Sequence, residues 1–417
     1  MKKEKKFLIY AVVVGLIVLT IAVIRSCIAS ITYDEAYTYL EYVTSNPFEV
    51  FKAIFTSEKV LANNHLLNSF SVSVIQFIFR IKYSAFLIRL PNLISYVVYL
   101  VFAYKFAKKY RYKFFVFTTL AFCCGLNEFI SLARGYGMAC AIVMIGIYYL
   151  KEWLEDISKY KYLNLSYLFL MISCYANTTC LIIFASIIVF TQLYILINKG
   201  IKENMHYIFK NILTIIPIAA LTLLIIYFHF KVSSDGLPLY GGHTGFLTDV
   251  LGSYPYLYGI EFYSSIIAMV IVLILFVFVI RKDILKFNVA WTSLFFFAIL
   301  IIMTLAFDQL WLTRRLLIPS VPLVMLSIFE IIDKIDDKYK IMLGLITLIP
   351  VVSFALSVNV TAVRTWEDNN FVKENAYKAY EEKNNELIKP YLKNYAINFY
   401  REKIKLEHDY DIFEGVK

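Results

Sequence analysis

The 417-residue chain has little charge, because only 17% of its residues are Asp, Glu, Lys or Arg. Soluble globular domains contain about 25% of such residues, so a soluble fold of this length is excluded. Hydrophobic residues make up 60% of the chain. They form repeated runs of about 18–20 residues, the length at which a helix crosses the hydrocarbon core. The composition therefore predicts an all-α, multi-pass integral membrane protein.

Cysteine and histidine are also scarce, with six and five residues. The cysteines lie in or beside apolar runs, and their spacing fits neither a metal site nor a secreted disulfide framework. The net charge of +10 does not indicate nucleic-acid binding, because the Lys and Arg residues lie mostly in short loops between apolar runs, where they orient the spans. We expect membrane lipids, and no nucleic acid, among the partners.

The basic loops predict the topology. Lys2, Lys3, Lys5 and Lys6 hold the N-terminus in the cytoplasm. No small-residue cleavage site follows the first apolar run, so we expect a retained anchor. Counting crossings from there gives about eleven spans and an extracytoplasmic C-terminus. The expected spans are 7–27, 86–104, 114–130, 136–150, 163–175, 180–197, 212–230, 262–280, 289–307, 316–332 and 341–358.

The domain organisation follows from these spans. Residues 1–358 form a transmembrane catalytic domain, with a first external loop at about 29–85 and a later one at about 231–259. Within the first loop, the apolar run 66–81 carries a polar stripe at helical spacing, which predicts a helix lying in the interface. Residues 359–417 form a polar, partly helical, extracytoplasmic tail with a candidate docking face over 391–400.

Asp34 and Glu35 are adjacent carboxylates just after the first span. Ionisable residues at apolar spans are costly and usually functional. A carboxylate can take a proton from an acceptor hydroxyl, and cations can stabilise charge on a leaving phosphate. In the predicted topology the same face also carries Asn63, Asn64, His65, Arg134, Tyr136, His243, Arg314 and Arg315.

Simpler roles remain open for these residues. Asp34 is also a favoured helix N-cap residue, and Glu35 suits the first turn of a helix. Arg134 at the end of a span could extend to the lipid headgroups. Arg314 and Arg315 lie outside against the positive-inside tendency, which indicates either a bound anion or a locally reversed topology.

Five short motifs follow one another along the membrane part of the chain. They are Tyr-Asp-Glu-Ala-Tyr (33–37), Asn-Asn-His-Leu-Leu-Asn-Ser (63–69), Arg-Leu-Pro (89–91), Ser-Leu-Ala-Arg-Gly-Tyr-Gly (131–137) and Arg-Arg-Leu-Leu-Ile-Pro (314–319). Their order resembles that in the C-type glycosyltransferases, and the nearest branch contains the protein O-mannosyltransferases and the lipid A aminoarabinose transferase. Many members carry an acidic residue just before the Ala-Arg pair of the fourth motif, where this chain has Leu132; that role is absent here or belongs to Glu128.

The resemblance implies an inverting transfer of a sugar from a polyprenyl-phosphate-linked donor to an extracytoplasmic lipid, glycan or protein acceptor. Asp34 would be the general base, and Glu35 would orient the acceptor or shape the site. Whether the site binds a divalent metal ion is left open, with Glu35 and His65 as candidate ligands. The substrate-binding residues would be Asn64, His65, Arg134, Tyr136, Arg314 and Arg315, with the arginines on the lipid phosphate.

We therefore expect a multi-pass enzyme of the cell membrane whose site faces outward. The alternative is a transporter or flippase of lipid-linked sugars. A transporter should carry ionisable residues near the middle of its spans. Here the charged residues cluster at one surface, which favours the enzyme.

Overall fold

The computed structural model describes residues 2–43, 46–55, 65–234, 241–260, 291–307, 310–334, 340–363 and 369–414. Within these ranges the chain is helical and forms no β-strand, apart from one isolated bridge between Gly242 and Trp311. The all-α class predicted from the composition is confirmed.

The helices are numbered here in chain order. Short 3₁₀ segments span Pro47–Ile54, Arg314–Ser320 and Asn385–Tyr391, and a π-helical segment spans Phe246–Leu251. The α-helices are α1 (Lys2–Ile28), α2 (Tyr33–Tyr42), α3 (Leu66–Phe79), α4 (Ala85–Ala107), α5 (Lys113–Ala121), α6 (Cys124–Ile130), α7 (Gly135–Glu155), α8 (Tyr160–Ala176), α9 (Cys180–Lys199), α10 (Ile201–Lys210), α11 (Ile212–Ser234), α12 (Ser253–Leu257), α13 (Trp291–Phe307), α14 (Val321–Ile332), α15 (Lys340–Ser357), α16 (Val372–Glu381) and α17 (Tyr395–His408).

Six helical stretches in the described part of the chain are long and apolar enough to cross a membrane, and a bent pair of helices makes a seventh if it counts as one span. The multi-pass architecture is thus supported, but the expected count of eleven is not confirmed. The expected span 262–280 lies outside the described residues. The stretches expected at 163–175, 289–307 and 341–358 coincide in their described parts with helices α8, α13 and α15, which are not among the six.

The bent pair replaces the single span expected at 114–130. Helices α5 and α6 meet at an angle of 50°. At the break, the side-chain amide of Asn127 donates to the carbonyls of Ala121 and Cys123, each at 2.9 Å, and the Cys123 carbonyl also accepts from the backbone N–H of Asn127 at 3.0 Å. Tyr96 donates in turn to Asn127 Oδ1. A polar side chain that satisfies the backbone therefore stabilises the bend.

Helix α7 lies at the centre of the bundle and packs against α4, α8, α14 and the 3₁₀ segment 314–320. Small residues allow close approach: a Cβ atom at Gly146 would lie 2.8 Å from Cγ of Leu170 on α8. Such contacts between small residues and neighbouring helices are typical of membrane bundles, where packing replaces the hydrophobic effect. Arg134 immediately precedes this central helix, so its position is fixed by the core.

The C-terminal residues pack directly on α2. Helix α17 contacts α2, and the two helices share a second apolar cluster with Ile31 and Ala133. The ring of Phe399 lies 5.6 Å from that of Tyr39, and the hydroxyl of Tyr400 accepts a 2.9 Å hydrogen bond from the backbone N–H of Ile31. The tail is therefore part of the structure that holds α2.

Candidate active site

Helix α2 begins with a capping box that involves Glu35. Thr32 is the N-cap residue; its hydroxyl accepts from the N–H of Glu35 at 3.2 Å, and Glu35 Oε2 accepts from the N–H of Thr32 at 3.0 Å. Reciprocal bonds of this kind fix the start of a helix. The capping role left open for Asp34 therefore belongs to Thr32, and Asp34 lies in the first turn.

Glu35 forms a buried, two-pronged ion pair with Arg89 of α4. Nε and Nη2 of Arg89 each lie 2.8 Å from a Glu35 oxygen, and both side chains are fully buried. The N–H of Ala133 donates to Glu35 Oε1 at 2.6 Å. Burial acts to raise the pKa of Glu35, but the charge and hydrogen bonds of Arg89 and the backbone bonds outweigh it, so the pKa lies below 4.5.

Both oxygens of Glu35 are thus occupied by the protein itself. The same guanidinium of Arg89 also donates to the carbonyls of Ser26, Ala29 and Ser30. Glu35 was expected either to orient the acceptor or to shape the site. Its contacts fit the second role and not the first. The metal hypothesis also lacks its ligands, because the described residues contain no group of three His, Cys, Asp or Glu side chains that could hold an ion.

The Ala133 peptide is held from both sides. Its N–H donates to Glu35, and its carbonyl accepts from Asn68 Nδ2 at 3.0 Å; Asn92 Nδ2 donates to Asn68 Oδ1 at 2.8 Å. This network fixes the residue just before Arg134.

No role for Arg89 was predicted from the sequence. The signal that could have found it was a charged residue inside a predicted span.

Arg134 lies at the N-cap position of α7 and points into the protein, with a side chain that is 1% exposed. Its Nη2 lies 3.3 Å from Asp34 Oδ2, and its Nη1 donates to Thr38 Oγ1 at 3.1 Å. The interpretation that Arg134 extends to lipid headgroups is therefore wrong. Asp34 itself is 4% exposed, so a charged pair from distant parts of the sequence is held away from bulk water.

His65 and Tyr136 complete this cluster. The two rings are 4.9 Å apart in an edge-on arrangement, and the Tyr136 ring lies 5.9 Å from the guanidinium of Arg134. Only glycine fits at position 135, because a Cβ atom there would lie 2.7 Å from the ring of His65 and 1.9 Å from the carbonyl of Ala176.

The imidazole of His65 is held neutral. Burial lowers its pKa well below 6.5, and the positive charges of Arg134 and Arg315 act in the same direction, while a hydrogen bond to the backbone of Ala176 acts against them. Its Nε2 atom has no hydrogen-bond partner among the residues that the structure describes. The ring therefore lies within the fields of two arginines from different parts of the chain.

Arg314 and Arg315 line a cavity of about 320 Å³. Arg314 opens the 3₁₀ segment with a φ of +46°, a conformation that costs energy for a residue other than glycine and tends to occur at functional sites. Ser253 holds it there by accepting from its N–H at 2.6 Å, and its guanidinium lies 4.7 Å from the centre of the Tyr256 ring. The lining consists of Gly125, Glu128, Phe129, Gly241, Tyr256, Leu257, Thr313, Arg314, Arg315 and Leu316.

Two sub-sites emerge from these positions. Asp34, Arg134, Tyr136 and His65 form one cluster, whereas Arg314 and Arg315 line the cavity, whose described lining does not include Asp34 or Arg134. Phe129 connects the two, since it lines the cavity and its ring lies 5.2 Å from that of Tyr136. The charges of Arg134 and Arg315 also both act to lower the pKa of His65.

The other residues expected at the site lie in different places. Asn64, predicted to bind substrate, and Asn63 lie outside the described residues. His243 lies on an exposed stretch of chain. Glu128, which the sequence analysis raised only as a substitute for the acid missing at Leu132, lies in the cavity wall, and its Oε1 is 3.5 Å from Nη2 of Arg25.

Fold and site together define a multi-pass membrane protein with a buried polar site at one end of its helices. Comparisons with models of known families, with curated proteins and with solved structures found no match. Its function is therefore argued from its own residues.

Proposed function

We propose that this protein is an integral membrane glycosyltransferase. It transfers a sugar from a polyprenyl-phosphate-linked donor to a hydroxyl group of an acceptor outside the cytoplasm. One observation carries the proposal: Phe129 lines the arginine-lined cavity, and its ring lies 5.2 Å from that of Tyr136, which is itself 5.9 Å from the guanidinium of Arg134. The Asp34–Arg134 pair and the arginine-lined cavity are thus two parts of one polar region, one with a carboxylate and one with cations.

The charge of the cavity favours an anionic ligand. Its described lining carries the guanidinium groups of Arg314 and Arg315 and one carboxylate, that of Glu128, which is also close to Arg25. Arginine is well suited to phosphate because it donates several charge-assisted hydrogen bonds. The volume of about 320 Å³ lies at the lower end of the range for small-molecule sites, about 300–1,000 Å³. It suits a phosphate-sugar headgroup, while the isoprenoid chain stays in the bilayer.

The proposed step is a single displacement at the anomeric carbon. The carboxylate of Asp34 takes the proton of the acceptor hydroxyl as that oxygen bonds to the anomeric carbon from the face opposite the phosphate. The bond from this carbon to the phosphate oxygen breaks, and its electron pair leaves on polyprenyl phosphate. Arg314 and Arg315 stabilise the charge of the leaving group, while Arg134 holds the Asp34 carboxylate in place.

The distribution of charge also supports this proposal over the alternative of a transporter. In the described spans, ionisable residues lie near the helix ends: Arg25 in α1, Arg89 in α4 and Lys151 in α7. A carrier that moves a charged headgroup across the bilayer would place such residues near the midplane.

The test uses purified protein in nanodiscs or proteoliposomes, with radiolabelled polyprenyl-phosphate glucose and mannose as donors and envelope extract as the source of acceptor. We expect labelled product from the wild type. Asp34→Asn should lower the rate by about 10²- to 10⁴-fold while donor binding persists. Arg315→Ala should weaken donor binding instead. Labelled lipid that crosses the bilayer without product would establish the transporter.

Two matched variants serve as controls. Asp156→Asn and Arg111→Ala make the same kinds of change on exposed or half-exposed residues beside the opposite ends of α7 and α4. Both should behave as the wild type. Near-normal transfer by Asp34→Asn would refute its assignment as the base.

A further inference from the structure

Glu128 borders two cavities. The first is the arginine-lined cavity of about 320 Å³ described above, and the second, of about 370 Å³, lies on the side of the C-terminal linker. Among the described residues, Glu128 is the one common to both linings, and its side chain is 13% exposed. The second lining consists of Arg25, Glu128, Ser357, Asn359, Ala362, Val363, Asn370 and Phe371.

The two cavities differ in charge. Arg314 and Arg315 make the first one positive. In the second, the guanidinium of Arg25 is engaged by the protein: it donates to the backbone carbonyls of Asn359 and Ala362 and contacts Glu128. Its charge is therefore already engaged, and the other described residues of this lining supply hydroxyl, amide and apolar groups.

This contrast matches the two halves of a phosphate-linked sugar. The phosphate is charged, the sugar ring is neutral and rich in hydroxyl groups, and one glycosidic bond joins them. A carboxylate at the boundary can accept hydrogen bonds from two hydroxyls of the same ring. Bonds to an ionised acceptor are about twice as strong as neutral ones. Phe371 in the second lining offers an apolar face for the carbon side of the ring.

We propose that Glu128 binds the hydroxyl groups of the donor sugar, with the phosphate in the arginine-lined cavity and the ring extending into the cavity beside Arg25. The inference rests on the proposed function, because it takes the donor to be a lipid phosphate that carries a sugar. It makes Glu128 a substrate-binding residue that selects the sugar, distinct from Asp34, which acts on the acceptor.

The experiment compares two lipids as probes: short-chain polyprenyl phosphate without sugar, and the same lipid carrying mannose or glucose. Binding to full-length protein in nanodiscs is measured for the wild type and for Glu128→Gln. We expect the variant to bind the sugar-bearing lipid about 10- to 100-fold more weakly, the range typical of a lost hydrogen bond to a charged group. Binding of the sugar-free lipid should not weaken, because the substitution removes a negative charge beside the phosphate.

A matched control is Glu152→Gln, which removes a similarly half-buried, Lys-paired carboxylate at the other end of α7; it should alter neither affinity. Glu128→Asp keeps the charge but shortens the side chain, so it tests the same selectivity if Glu128→Gln disturbs the contact with Arg25. Equal weakening for both lipids, or no change, would overturn the inference alone. If the wild type binds neither lipid, the proposed function and the inference both fail.

Discussion

Two neighbouring carboxylates in α2 have different surroundings because adjacent residues on a helix point about 100° apart. Glu35 faces α4 and the Ala133 peptide, where Arg89 and two backbone N–H groups satisfy it. Asp34 faces Arg134 at the start of α7. The first carboxylate therefore holds the structure together, and the second lies where chemistry is proposed.

Replacing Glu35 should destabilise the protein more than replacing a surface carboxylate. Glu35→Ala leaves the guanidinium of Arg89 buried without its counter-charge, which typically costs about 3–5 kcal/mol of unfolding free energy. Glu49→Ala removes an exposed carboxylate that pairs with Lys52 at 3.2 Å, for which a change of up to about 1 kcal/mol is usual. Thermal unfolding in detergent measures both. Similar melting temperatures for the two variants would contradict the structural role of Glu35.

The neutral His65 predicts a pH dependence of stability. Its pKa in the folded protein lies well below 6.5 because of burial and the charges of Arg134 and Arg315, whereas an unfolded chain takes up the proton near pH 6.5. Below that pH the unfolded state binds more protons, so stability falls as the pH drops toward the folded pKa. The contribution of His65 is fully present above pH 6.5.

The measurement is the melting temperature between pH 7.5 and pH 5.5. His65→Gln removes the titrating group, so its melting temperature should fall less with acid than that of the wild type. His243→Gln, at an exposed position, should keep the wild-type slope. Identical slopes for all three proteins would show that His65 is not held neutral by its surroundings.

At the scale of helices, the sequence predicted individual helices better than the contacts between them. Periodicity and apolar length predicted a short helix over 66–81, and the structure has α3, whose 14 residues span about 21 Å. That is too short to cross a core of about 30 Å. Hydrophobic pattern could not reveal that Glu35 pairs with Arg89 or that Arg25 contacts Glu128, because those contacts depend on how distant helices pack.

The bend between α5 and α6 escaped prediction for a related reason. The run 114–130 is mostly apolar, which indicates one crossing. At the break, the side-chain amide of Asn127 donates to the carbonyls of Ala121 and Cys123 and so helps to stabilise the bend. A polar residue inside an apolar run was the available signal, but its partners became visible only in the fold.

The tail should stabilise α2 through one buried hydrogen bond. Tyr400→Phe removes the hydroxyl that accepts from the Ile31 N–H just before α2, leaving a buried donor unsatisfied, which costs about 1–3 kcal/mol. Tyr410→Phe removes a half-buried hydroxyl that donates to Asn385 within the tail, and should cost less. Limited proteolysis and thermal unfolding report the difference. If the two variants are equally stable, the tail does not support α2 through this contact.

At the scale of the whole molecule, helices α1 and α7 show the same polarity. Helix α1 has Glu4 beside Lys113 at one end and Arg25 beside Glu128 at the other. Helix α7 has Arg134 beside Asp34 at its start and Lys151 beside Glu330 near its end. The lysine-rich end matches the cytoplasmic side by the positive-inside tendency. The proposed function requires this orientation, with the buried arginine–carboxylate pairs at the outer surface, where a lipid-linked sugar and an external acceptor would meet.

This polarity predicts which residues can be labelled from outside the cell. Helix α7 has 21 residues, about 31 Å of helix, close to the hydrocarbon thickness of about 30 Å. The exposed Glu407 lies on α17, which packs on α2 near Arg134 at the start of α7. The exposed Lys159 follows the other end of α7.

In a background carrying Cys27→Ser and Cys124→Ser, Glu407→Cys should react with a membrane-impermeant maleimide in intact cells. Lys159→Cys should react only after permeabilisation, and the background itself should stay unlabelled. The opposite pattern would put the site in the cytoplasm and refute transfer on the outer face, and labelling of both in intact cells would mean that α7 does not cross the membrane.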